Sequence, residues 1–423
     1  MHRSPTWFSL GCLVAGAVGC GAAGGPVRSP AERERDSAIA VSSLQAARFA
    51  EAANQASLVL ARDPGNSRAA AVRAIATYQA AGSRLRDDLF SSGVSLLDHT
   101  TERDVGERFL GQLAEVDRDL AVVAADPAFS LDLCLACWEH DWNHNGQIDD
   151  ADRALFEIEF DGRVTPGGDD EGGELPKGDP RRRPTFRFDT GDADWARAMV
   201  SFQRAALELV LAYRWSEICK LFAPGQRMQH APTIVLHLED AARVQRARTW
   251  ILDGLGYADR CRAEYLAETD DTREWVPSPR QHDHPVPLEV DAALYQTWAD
   301  ITGDVRRLLD GEEGISFREL AALGKRDSAA YLPDAYLDVG AMLRQPADIT
   351  LDLAVLEAAD EARRDAAVVV PLIEKFLRGA LGQGYAPARK RSPLVGRLER
   401  MKRDLSTGND TFERKLRYLL WLN

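Results

Sequence analysis

The sequence contains no ready-made catalytic centre. It has no Gly-x-Ser-x-Gly elbow, no phosphate-cradling Gly-Lys-Ser/Thr loop and no dinucleotide-binding fingerprint, so it presents no nucleophile or cofactor cradle of a known type. Excess positive charge is also missing. The 52 Lys and Arg stand against 66 Asp and Glu, giving a formal net charge of −14. A chain this acidic lacks the basic face that nucleic acid or anionic lipid requires, and no nucleic-acid partner is expected. With 66 acids, pairs of carboxylates occur everywhere, and none can be nominated as an acid/base couple without geometry. Strand-like alternation is scarce, which leaves an all-α fold. Cysteine is sparse, with two of the six residues (Cys12 and Cys20) near the start. The other four, Cys134, Cys137, Cys219 and Cys261, are possible disulfide partners if the chain is exported. Four cysteines allow three connectivities, and the sequence does not choose among them. Cys134 and Cys137 lack the thioredoxin-like βαβ setting that a redox motif needs, so a structural role is expected for them.

The 423 residues, 45% hydrophobic and 28% charged, describe an ordinary globular chain of two or three packed units. Residues 1–25 read as an export leader. Arg3 gives a positive start, Trp7 to Val18 an apolar stretch too short to span a bilayer, and small residues follow. The run Ala17-Val18-Gly19-Cys20 resembles the processing box of bacterial lipoproteins, with Ala17 where that family usually has leucine. The resemblance implies cleavage before Cys20, lipidation of Cys20 and membrane attachment through the lipid. Arg3 is the one charged side chain among residues 1–19, so cleavage takes the net charge from −14 to −15. Gly21 is not the aspartate that retains many such proteins at the inner membrane, and by resemblance this implies an outer-membrane location. The expected layout is a signal peptide over 1–19, a Gly/Ala/Pro tether over 20–32, a helical region over 33–130, a loop-rich segment over 131–188 and an all-helical part over 189–423.

The composition from Ala31 to about Leu120 is rich in Ala, Leu, Arg and Glu, which favours helix. Phe49, Ala52 and Leu60, then Asp63-Pro64-Gly65-Asn66, then Ala74, Tyr78 and Gly82 form a pattern that resembles about one and a half tetratricopeptide repeats. That family packs helical hairpins and offers a face to a protein partner. A further helix is expected from about Thr101 to Ala125, stopped by Asp126-Pro127, and an exposed loop over Asp161–Pro184. The next helix is expected to be capped by Thr190 or Asp192. Its apolar stripe would be Trp195, Met199, Phe202, Ala206, Leu209 and Tyr213. Val244, Ala247, Ile251 and Leu255 repeat the helical spacing, as do Leu394, Leu398, Met401 and Leu405.

One segment carries chemistry. Residues 141–152 read Asp-Trp-Asn-His-Asn-Gly-Gln-Ile-Asp-Asp-Ala-Asp. Calcium takes six to eight oxygens, and a twelve-residue loop supplies them from positions 1, 3, 5, 9 and 12 with a carbonyl at 7. Asp141, Asn143, Asn145, Asp149 and Asp152 fall on the side-chain positions, Gln147 on the carbonyl position and Gly146 on the sharp turn. The loop resembles the EF-hand calcium loop, and more closely that of dockerin modules, which accept aspartate at position 12. The resemblance implies Ca2+ as the ligand and Ile148 pointing inward. Asp152, one carbon shorter than glutamate, sets the expected affinity at roughly 10⁻⁵ to 10⁻³ M, as in extracellular modules.

Other readings overlap this segment. His140 and His144 fall four apart but lack the glutamate base of a zinc-protease helix, and Asn143, Asn145 and Gly146 are poor helix formers. Cys134, Cys137 and His140 do not complete a four-ligand zinc set. Asp310–Glu319 echoes the second half of such a loop, with a turn entering a helix as the simpler expectation. His282-Asp283-His284 reads as a solvated loop. Two functions follow. One is a lipid-anchored, calcium-binding helical scaffold or interaction module of the cell envelope, without enzymatic activity. The other is a metal-dependent hydrolase of envelope or extracellular polymers, which would need a cleft gathering His140, His144 or His282 with acids.

Overall fold

The computed structural model describes residues 28–88, 99–143, 145–159, 175–216, 233–269, 273–281, 290–324, 326–362 and 365–405. The leader with Cys20, the acidic part of the 161–184 loop, His144, Cys219 and the His282–His284 segment lie outside the described residues. The fold is all-α, with only small strands between the helices.

Among the described residues, four helices come first: α1 (Pro30–Gln45), α2 (Phe49–Leu60), α3 (Ser67–Arg86) and α4 (His99–Ala124). Ser29 caps α1 and Glu32 returns the bond in a capping box, satisfying two otherwise orphan N–H groups. Between α2 and α3 the chain turns through Asp63–Asn66, and the Asn66 side chain accepts the Ala69 N–H at 3.0 Å to start α3. Phe49, Ala52, Leu60 and Ala74 are buried. Gly82 opens onto free space, so its lack of a side chain serves no close helix contact. Arg73 forks onto Asp119 across α3 and α4. The Ser67 hydroxyl lies 2.7 Å from the Asp126 carboxylate.

The longest contact joins α6 (Thr190–Ala212) and α7 (Ala241–Ala267), which run antiparallel; between α4 and α6 lies the short helix α5 (Asp150–Ala154). The helix start differs by one or more residues from the sequence expectation. Asp189 is the cap, accepting the N–H groups of Gly191 and Asp192, and Asp192 is the reciprocal partner. The stripe differs too. Trp195, Met199, Phe202 and Leu209 are half-buried, Ala206 is exposed, and Tyr213 lies just beyond the helix. Buried instead are, among others, Asp194, Ala198, Ser201, Ala205, Glu208 and Ala212. Close approach explains this. A Cβ on Gly254 would come within 2.6 Å of Phe202, and one on Gly191 within 2.8 Å of Tyr265. At such close approaches one helix must present glycine or alanine to the other, and paired charges fill other parts of the seam. Glu208 is gripped by Arg243 and Arg246, and Asp194 by Arg260.

The remaining elements are α8 (Ala292–Asp310), α9 (Phe317–Gly324), α10 (Val339–Arg344), α11 (Leu353–Glu361), α12 (Ala366–Leu381) and α13 (Leu394–Leu405). Among the described residues, three small antiparallel sheets tie distant segments: β1 (Leu131–Leu133) with β2 (Phe186–Phe188), β3 (Thr233–Leu236) with β6 (Ile349–Asp352), and β5 (Tyr336–Leu337) between β4 (Ile315–Ser316) and β7 (Tyr385–Ala386). The largest core joins α1–α3, β1, β2 and residues 135–158 with the N-terminal end of α6, the C-terminal end of α7, Trp275 and Tyr295. The β1–β2 pair closes the base of the segment that carries the oxygen-rich loop.

Candidate metal centre

The loop over 141–152 bends at Gly146, whose φ is +85°. Only glycine adopts that conformation without a steric cost. Short polar side chains then fold onto the backbone. The Asp141 carboxylate accepts the N–H groups of Asn145 and Gly146 at 3.1 and 2.7 Å. Asn143 Oδ1 accepts the Asn145 N–H at 2.9 Å, and Asn145 Oδ1 that of Gln147 at 2.8 Å. Asp149 caps α5, and its second oxygen takes the Asn145 amide at 2.8 Å. The Asn145 amide, with the Ala151 N–H after it, holds the Asp149 carboxyl below its usual range. Asp152, 2% exposed, accepts the N–H groups of Trp142, Asn143 and Asp149 at 2.8 to 3.0 Å.

These bonds gather the side chains of Asp141, Asn143, Asn145, Asp149 and Asp152 around one bend. Each accepting oxygen with a single N–H partner keeps a lone pair for a cation. Oδ1 of Asp152 already accepts two bonds, so this residue offers Oδ2 alone. Among the described residues, no Lys or Arg pairs with Asp141, Asp149 or Asp152. Lys177 and Arg153 pair instead with Asp150, which is outside the donor set. Three carboxylates without a counter-cation suit a hard divalent ion such as Ca2+.

Two features depart from a helix–loop–helix. Ile148 is 41% exposed rather than inward. In the 310–319 echo, Ile315 bonds to Leu337. There Glu313 is bound by Arg307 and Lys390, so cationic side chains compensate its charge. The second departure precedes the loop. No helix enters it; a three-residue 3-10 turn (Leu135–Cys137) follows β1. Cys134 and Cys137 form a disulfide across that turn, one bridge from the four candidate cysteines. Cys261 is buried as a free thiol, pushed well up by that burial, which removes it from the disulfide set.

An aromatic cluster seats the loop against the N-terminal helices. Trp138 meets Phe49 and Phe156 edge-on at 5.4 and 5.7 Å, and Trp142 meets Phe156 at 5.4 Å. His140 packs on Phe49 and Trp142 at 5.3 and 4.6 Å, within the same aromatic cluster. Arg86, at the end of α3, donates to the Trp142 carbonyl. On the exit side Glu157 is held by Arg182 and Arg183.

A second carboxylate group was not legible in the sequence. Oxygens of Asp189, Glu268 and Glu274 lie within 4.8 Å of one another. Asp189 sits at the positive end of α6, whereas Glu268 sits at the negative end of α7, where a helix dipole disfavours an anion. Both Glu268 oxygens are enclosed without a donor. Burial, then the charges of Asp189 and Glu274, push the Glu268 carboxyl up to about 10. Nearby, Asp192 is fully buried against the Tyr265 hydroxyl at 2.6 Å, and burial raises it well above the usual carboxylate range. With its carboxyl at about 10, Glu268 holds its proton at neutral pH. No sequence signal links residues so far apart among so many acids.

Comparison with family models, with curated proteins and with solved structures finds no match to this chain.

Proposed function

We propose that this is a lipid-anchored protein of the bacterial cell envelope, held at the outer membrane through Cys20. In this reading a calcium ion at residues 141–152 locks a helical scaffold that binds a protein partner. The observation that carries the calcium reading is the fold of the loop itself. Five oxygen-bearing side chains in the expected register bend around Gly146, with three carboxylates that no Lys or Arg pairs with among the described residues. What makes the ion a lock is the position of the loop. One side is tied to α2 and α3 through Phe49 and Arg86, and the other to the strap before α6 through Glu157. Binding to the folded chain alone then stabilises the whole molecule. The partner-binding scaffold rests on the helical hairpins of α1–α4, and the anchor on the leader residues.

The test is thermal unfolding of residues 21–423 in excess Ca2+ and in chelator. A ligand at a hundredfold excess over its dissociation constant adds about 2.7 kcal/mol. That corresponds to a rise in melting temperature of roughly 2–6 °C for a chain of this size. Identical melts in calcium and chelator remove the ion from the function.

A further inference from the structure

The disulfide stands where a helix–loop–helix would have its entering helix. From β1 the chain passes through the 3-10 turn Leu135–Cys137 and reaches Asp141 without regular secondary structure, so no ladder of helical bonds fixes the loop's first oxygen. The Cys134–Cys137 bridge closes that turn. From it a short chain of contacts runs to the ion ligands. Leu135 and Ala136, inside the bridge, are buried in the core. Trp138 packs against Trp142 at 6.2 Å and against Phe156 beyond the loop. The N–H of Trp142 bonds to Asp152. The bridge also reaches the exit side. Cys134 Sγ lies 3.6 Å from the carbonyl oxygen of Arg183, and Arg183 holds Glu157.

We infer that Cys134–Cys137 is a thiol–disulfide exchange site that governs the order of the calcium loop. The inference rests on the calcium reading for its effect on the ion, but not for its effect on the loop. Cys137 is exposed while Cys134 is half-buried, so an incoming dithiol meets the Cys137 sulfur first. Its thiolate attacks Cys137 Sγ, the S–S bond breaks, and Cys134 leaves as a thiolate that takes up a proton. The second thiol of the reductant then attacks the mixed disulfide and frees Cys137. The two electrons come from the dithiol, which departs as its own disulfide. With the bridge open, nothing covalent holds the turn. Trp138 and Trp142 lose a fixed base, and the ligands must be ordered at the expense of ion binding. Loss of this kind of outer support weakens metal affinity by about tenfold, the low end for such partners.

The experiment compares the full exported chain in three forms: oxidised, reduced with dithiothreitol, and a Cys134→Ser/Cys137→Ser variant. Each is measured by calorimetric Ca2+ titration and by amide hydrogen exchange at Trp142, Asn145 and Gly146. The expected result is a dissociation constant about tenfold higher, with faster exchange, in both bridge-free forms. Equal affinity and equal exchange in all three overturns the inference and leaves calcium binding standing. Faster exchange without the bridge, in a protein that binds no calcium in any form, supports the clamp and overturns the calcium reading.

Discussion

The carboxylate of Asp152 accepts the backbone N–H of Trp142 at 2.8 Å, ten residues back along the chain. That bond closes the oxygen-rich loop into a ring. Asn143 and Asp149 donate to the same carboxylate, so one buried aspartate organises both ends of the loop and also starts α5. The shorter side chain at position 12 is matched to this task. It reaches the backbone with both oxygens and keeps one lone-pair direction on Oδ2 for a ligand. A longer glutamate would carry its oxygens further toward the ion.

Replacing Asp152 by alanine strands three N–H groups, that of Trp142 among them in a buried residue. A buried donor left without its acceptor costs about 1–3 kcal/mol. Denaturant unfolding of Asp152→Ala should show a loss in that range even in chelator. A variant as stable as the parent would mean that the loop is not closed by this residue.

Gly146 sits at φ +85° in open space, with nothing within 4 Å of where a Cβ would be. The cost of Gly146→Ala is therefore purely conformational, about 1–2 kcal/mol. Gly146→Asn should recover part of it, since asparagine tolerates the left-handed region better. Equal stability of the glycine, asparagine and alanine forms would argue against a sharp bend.

Glu268 gives the pH dependence. Its carboxyl is raised from 4.5 to about 10 in the folded chain. Between those values the native state keeps a proton that the unfolded chain has released. Unfolding free energy therefore falls as pH rises through this window. Glu268→Gln, permanently neutral, should flatten that slope and raise the melting temperature at pH 8–9 relative to the parent, with little change near pH 4. Parallel stability curves for parent and variant contradict the assignment.

Glu208 is 4% exposed between Arg243 and Arg246. Removing one partner of a buried pair leaves an uncompensated charge and costs about 3–5 kcal/mol. Arg243→Ala should cost part of that loss, because Arg246 still forks onto Glu208. Arg246→Ala should cost less, because Arg246 is largely solvent-exposed and Arg243 still grips the carboxylate. Equal, small losses from both would place the α6–α7 seam outside the stabilising core.

The α-helical class and the bend at Gly146 were legible because both are written locally. Helix-forming composition and capping residues act within a few positions, and twelve consecutive residues present the oxygen pattern. The α4 boundary at Ala124, just before Asp126-Pro127, shows the same local control. What was not legible depends on tertiary distance. The aromatic spacing from Trp195 to Tyr213 suggested the buried stripe, yet Gly254 brings α7 so near that Ala198, Ala205 and Ala212 take the seam. Ile148 reads as inward only if a second loop is there to receive it. The carboxyl group at Asp189, Glu268 and Glu274 exists because two long antiparallel helices end side by side, and a linear sequence carries no mark of that.

The central claim is that the side chains around Gly146 hold one calcium ion. Its most direct test is calorimetric titration of Ca2+ into residues 21–423 and into the Asp141→Ala variant. One site of roughly 10⁻⁵ to 10⁻³ M in the parent, weakened at least tenfold in the variant, is the expected result. No heat of binding in the parent, or the same affinity in both proteins, would contradict it.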